Sequence, residues 1–120
     1  MSQYVDGFVL PVPKRNRARY VRMARLAGKV WREHGALEYR ECIADDVQKG
    51  KLTSFPRSVK LKSTEAVWFA YIVYRNRKHR DVVNAKVMND PRLAKYMNAK
   101  GMPFDGKRLI MGGFKLVVDL

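Results

Sequence analysis

Residues 66–74 read Ala-Val-Trp-Phe-Ala-Tyr-Ile-Val-Tyr, nine apolar or aromatic side chains in an unbroken row. A strand points successive side chains to opposite faces. A run that is apolar at both parities is therefore expected to be a strand buried on both sides. It is the longest such run in the chain, and it is short of the roughly 20 residues a membrane helix needs. The remaining sequence has to supply cover for two faces of one central strand.

Upstream, Tyr4–Leu10 (YVDGFVL) is rich in aromatic and β-branched residues and reads as a strand broken by Pro11-Val12-Pro13. A helix is expected from Arg15 to His34, because Tyr20, Met23, Ala24, Ala27, Val30, Trp31 and His34 form one stripe at three- and four-residue spacing. Gly35 then serves as its stop. Leu37–Ala44 alternates like a half-buried strand, with Leu37, Tyr39, Glu41 and Ile43 on one side. Thr53–Ser63, interrupted by Pro56, reads as loop with one helical turn at most. Downstream, a helix is expected at Arg77–Met88 and a short one at Arg92–Ala99 behind Pro91. PFDGK at 103–107 marks a turn, and Leu109–Val118 is the last strand, with a bulge or close backbone contact at Gly112-Gly113. The order β-α-β, β-α-β predicts an α+β, ferredoxin-like domain: a four-stranded antiparallel sheet with both helices on one face. Two helices cover one face only. The second face of the 66–74 strand needs another partner, and a second copy of the chain supplies one.

The chain has 120 residues, 47% of them apolar, enough for one domain spanning 1–120. Its single cysteine excludes an intramolecular disulfide framework. No signal peptide reads from the N-terminus, so a cytoplasmic protein without membrane association is expected. Lys and Arg number 25 against 11 Asp and Glu, a net charge of +14. The excess is concentrated: residues 14–34 hold eight basic side chains against one acidic, and residues 75–100 hold eight against two. A positive layer on the helical side either keeps the protein solvated or tracks the phosphates of nucleic acid or another polyanion weakly. Arg22, Arg25, Lys29 and Arg32 are its candidate contacts, pointing away from the apolar stripe. No helix-turn-helix, zinc-finger or RNP-type pattern accompanies them.

Five segments identify a resemblance: YVDGFVLPVP at 4–13, HGALEYRECIADDV at 34–47, GKLTSFPRSVK at 50–60, RDVVNAKVMNDPR at 80–92 and MPFDGKRLIMGGF at 102–114. Together they resemble the bacterial DUF1428 family across nearly the whole chain. The resemblance implies a dimeric α/β barrel, in which two ferredoxin-like sheets face each other across a two-fold axis. It implies no particular activity, substrate or catalytic residue, since related architectures include oxygenases, isomerases and binding proteins. Where the family tends to have Phe-Ser-Trp in the third strand, this chain has Phe69-Ala70-Tyr71.

Several constellations bear on chemistry. Gly101–Arg108 nearly spells a phosphate-binding loop. It lacks the closing Ser or Thr, carries Pro103 where an N–H is needed, and leads into a strand. Asp6 and Glu41 are acids inside strands, where an unpartnered carboxylate costs several kcal/mol. They either pair with Lys107, Arg108, Arg40 or backbone, or act as a ligand anchor or general base. A ligand site is therefore expected in a sheet-side cleft near Asp6, Glu41, Trp68 and Arg108. His34 is expected to pack at its helix end, His79 to be exposed, and Cys42 to be a small buried filler. No metal-ligand spacing is present, and no cofactor is expected. The functions this leaves are small-molecule binding or conversion in the cleft and, as the alternative, polyanion binding through the basic helices. Whether the chain is an enzyme is open from sequence.

Overall fold

The computed structural model describes residues 2–98 and 100–120. Four antiparallel strands form one open sheet: β1 (Tyr4–Pro13), β2 (Glu38–Ile43), β3 (Glu65–Tyr74) and β4 (Ile110–Lys115), in the order β2-β3-β1-β4. Three α-helices accompany them: α1 (Arg17–Glu33), a single turn α2 (Phe55–Ser58), and α3 (Arg77–Met88). The run that decided the fold is indeed a central strand, β3, paired with β1 from Pro13↔Glu65 to Tyr4↔Tyr74 and with β2 from Ile43↔Trp68 to Glu38↔Val73.

β1 does not stop at Leu10. It runs through Pro11 and Pro13 because their missing N–H groups cost nothing there. The Gln3 carbonyl accepts from Leu116 N and the Lys14 N–H donates to Thr64 O. The odd-numbered backbone groups of β1 therefore face β4, and the even-numbered ones face β3. β4 pairs with β1 only from Tyr4 to Val9, so both prolines point at an edge that is already free. β4 is also shorter than expected. Its glycine pair makes no bulge, because the register with β1 is continuous. Gly113 is required for another reason: a Cβ there would fall 2.3 Å from the Tyr4 hydroxyl oxygen. The short helix expected at 92–99 is a 3-10 turn over Pro91–Tyr96 capped by Asp90, and Ala99 lies outside the described residues.

Helix and sheet share one core face. Tyr20, Ala24, Ala27 and Val30 of α1 and Val83 and Val87 of α3 are buried. They pack on Tyr4, Leu10, Val12, Trp68, Ile72 and Tyr74. On the opposite face Val67 and Val73 are buried, whereas Phe69, Ile110 and Phe114 are 43%, 44% and 62% exposed. Phe55 of α2 meets Phe69 edge-on at 6.4 Å between centroids and covers part of that face. Among the described residues, no helix is long and apolar enough to cross a membrane.

Candidate functional site

Strand alternation puts Tyr39 and Glu41 of β2 on the helix-covered face, opposite Ile72 and Ala70 of β3. Across the gap, α1 presents Tyr20 from its apolar stripe. The Tyr20 hydroxyl donates to Glu41 Oε1 at 2.8 Å and the Tyr39 hydroxyl donates to Oε2 at 2.9 Å. Burial pushes the Glu41 carboxyl above its ordinary value, and the two phenol hydrogen bonds offset only part of that shift. Burial first, and the Glu41 charge second, push both phenols well above theirs. The phenols therefore stay protonated and act as donors.

This group stands in the wall of a partly open cavity of about 170 Å³ lined by α1, the sheet and residues that follow α3. Phe8, Met23, Trp31, Tyr96 and Phe104 make the rest of the wall mostly hydrocarbon and aromatic. Residues 90–98 and 100–104, which supply Leu93, Tyr96, Met97, Met102 and Phe104 to the cavity wall, are held by polar contacts to α1 and the turn before it. Asn16 Nδ2 donates to Pro103 O at 3.0 Å, Arg19 Nη2 reaches Gly101 O at 3.3 Å, and Arg92 Nη1 pairs with Glu33 at 2.6 Å. His34 Nε2 lies 2.9 Å from Asp90 Oδ2. Arg92, then His34, hold the Asp90 carboxyl far below the usual range.

A second hollow, a groove, opens on the other flank of α1, between it and β2. Glu41 and Tyr39 line this groove as well as the cavity. A Cβ on Gly28 would fall 2.7 Å from Tyr39 Cδ1, so the glycine is what lets the tyrosine ring lie against α1.

The residues expected near a site are dispersed. Glu41 and Trp68 do come together, with the Trp68 ring 4.8 Å from that of Tyr20. Asp6 is buried beneath α3, where its partner is Arg80 (Nη1 to Oδ1, 3.6 Å) rather than Lys107, Arg108 or Arg40. Arg108 sits at the opposite end of the sheet, where it pairs with Glu65 and Asp105. Cys42 is exposed instead of buried, because its parity places it on the open face beside Phe69. His79 is half-buried rather than exposed, its Nδ1 accepting from Arg75 N at 3.0 Å. Arg22, Arg25, Lys29 and Arg32 are all exposed. Arg25, Lys29 and Arg32 line the groove with Arg17, while Arg22 faces the other flank with Arg19 and Lys95. Two residues of the site were missed as polar contributors, Tyr20 and Tyr39. Their one legible signal is Tyr39-x-Glu41, which a strand places on a single face.

The profile of the DUF1428 family, described as a protein of unknown function, matches residues 3–106. The uncharacterized protein YbaA of Escherichia coli (strain K12) is 44% identical over 117 residues, covering 98% of each chain. The protein of that name in Shigella flexneri matches to the same extent. Among solved structures, the de novo designed protein Foldit4 aligns over 98% of this chain and 99% of its own at 9% identity, with a TM-score of 0.45. That is too slight a likeness to argue from.

Proposed function

The chain belongs to the DUF1428 family of unknown function, and for this member we propose that it binds a small, largely apolar molecule in the cavity beneath α1. The observation that carries this is a half-buried carboxyl, Glu41, held by two phenols in an otherwise apolar wall. Ligand sites combine an apolar body with a few placed polar groups. A cavity of about 170 Å³ is on the scale of engineered voids of ~150 Å³ that take up benzene. The guest is therefore about one aromatic ring in size. The carboxyl orients it: protonated, it donates to a guest oxygen, and ionised, it accepts a proton.

The test is a titration with 3-phenylpropanol, followed at the indole N–H resonance of Trp31 and assigned with Trp31→Phe. A saturable shift is expected. It should weaken in Met23→Trp, which fills the cavity. No saturable response at Trp31, or an unchanged one in the filled variant, would rule the cavity out as the site.

The finer fold reading is also a proposal: a ferredoxin-like domain that pairs through its open sheet face into a dimeric α/β barrel. The exposed Phe69, Ile110 and Phe114 on that face support it. A stable interface of this kind buries at least ~1,200 Å². Sedimentation at micromolar concentration is expected to give twice the chain mass of 13.9 kDa, and the Phe69→Asp, Phe114→Asp double variant the single mass. A monomeric parent protein would remove the barrel. Polyanion binding through Arg22, Arg25, Lys29 and Arg32 has weaker support. All four are exposed, but they divide between two flanks of α1 and so make no single phosphate-tracking stripe.

A further inference from the structure

The groove on the outer flank of α1 carries charge that its own residues do not balance. Arg17, Arg25, Lys29 and Arg32 line it, and Glu41 is its one acid. Both Glu41 oxygens already accept from phenols. Arg32 donates to the Leu37 carbonyl. Arg17, Arg25 and Lys29 make neither a hydrogen bond nor an ion pair through their side chains among the described residues. Four cations spaced along one helix flank repel one another, and an anion among them relieves that repulsion. The groove also has apolar ground, since Val21, Ile43 and Trp68 line it. Glu41 and Tyr39 belong to both walls, so the groove and the cavity lie back to back across these two side chains.

We propose that the guest is an amphipathic monoanion: a body of about one ring in the cavity, and a carboxylate or similar anionic head in the groove beside Arg25 and Lys29. This rests on the cavity reading above and adds the chemical class of its ligand. Charge complementarity selects the head, and the hydrocarbon wall selects the body. Tyr39 and Glu41 stand where the two parts of the guest join. Gly28 lets the Tyr39 ring lie against the helix.

The experiment compares two congeners with one body, 3-phenylpropionate and 3-phenylpropanol, titrated into the full chain at low ionic strength. Trp31 reports the cavity and Trp68 the groove, their indole N–H resonances assigned with Trp31→Phe and Trp68→Phe. The alcohol is expected to shift Trp31 alone. The carboxylate is expected to shift both and to bind at least ~10-fold more tightly, an advantage that salt erodes. In Arg25→Gln, Lys29→Gln that advantage should largely disappear while alcohol binding is unchanged. These side chains are exposed, so the fold is not at stake. The control for overall basicity is Arg77→Gln, Lys78→Gln, also exposed, which should keep the advantage. Equal affinity for the two congeners overturns the anionic head and leaves the cavity reading standing. So does an advantage that survives loss of Arg25 and Lys29, or one that falls equally in the α3 control. Binding of neither congener removes both.

Discussion

Arg108→Ala is expected to destabilise the protein by ~3–5 kcal/mol, the range for removing one partner of a buried ion pair. Arg108 grips Glu65 with two parallel hydrogen bonds, Nη1 to Oε1 at 2.8 Å and Nη2 to Oε2 at 2.5 Å. It also donates to the Lys60 carbonyl at 3.1 Å. The side chains of Arg108 and Glu65 are only 16% and 5% exposed. Without the guanidinium, the Glu65 carboxylate keeps one backbone partner, Lys62 N at 2.8 Å, in a site that water barely reaches. The melting temperature should drop by roughly 10–20 °C for a domain of this size. The effect should also depend on pH. Hydrogen bonding to Arg108 holds the Glu65 carboxyl below its ordinary value. A depressed folded-state value stabilises above the unfolded one and is lost as pH falls through the folded one. The gap between parent and variant should therefore be widest near pH 7 and close progressively below pH ~4. Thermal unfolding at a series of pH values checks this. A gap that is constant with pH would mean that Arg108 matters by packing and not through its charge.

Arg80→Met is expected to cost ~3 kcal/mol for the same physical reason at the opposite end of the sheet. Asp6 is 4% exposed, and Arg80 is the cation beside it. The guanidinium also stands 5.0 Å from the Tyr4 ring centroid, and its Nη2 reaches the Tyr4 hydroxyl at 3.3 Å. Its Nε lies 3.1 Å from Asp81 Oδ1 but makes no hydrogen bond there. Arg80 thus stands between Asp6 and Tyr4 of β1 and Asp81 of its own helix. Most of the cost is the Asp6 charge left behind. The Asp6→Asn, Arg80→Met double variant should accordingly recover the larger part of the loss, and urea unfolding of parent, singles and double measures that coupling. Additive losses would mean that the two residues do not act as a pair.

Both pairs bear on how much of the site can be read from sequence. A carboxylate in a strand announces that it needs a partner, and Asp6 and Glu41 were legible to that extent. Which partner it gets is set by elements far along the chain: Arg80 stands 74 positions beyond Asp6, on another element. Arg108, singled out as a ligand contact, closes instead on Glu65, which is 43 residues away. The Tyr20–Glu41–Tyr39 group needed α1 to be laid across β2, and no local pattern encodes that crossing. Cys42 was misplaced because alternation assigns it to the face opposite Glu41, and that face is the open one.

The sequence by itself determined the four strands and the two long helices, and it singled out residues 66–74 as a central strand. Those features rest on side-chain periodicity and on glycine and proline placement, which act over a few residues. It also determined the concentration of charge on α1, because composition is fixed before folding. Tertiary structure alone decided that β1 runs through two prolines, since only the early end of β4 frees their edge. It alone decided that Asp6 pairs with Arg80 and Arg108 with Glu65, that residues following α3 line a cavity against α1, and that Glu41 faces both an apolar hollow and a cationic groove. Each of these depends on which distant surfaces the core brings into contact, a property of the packed chain and not of any stretch of it.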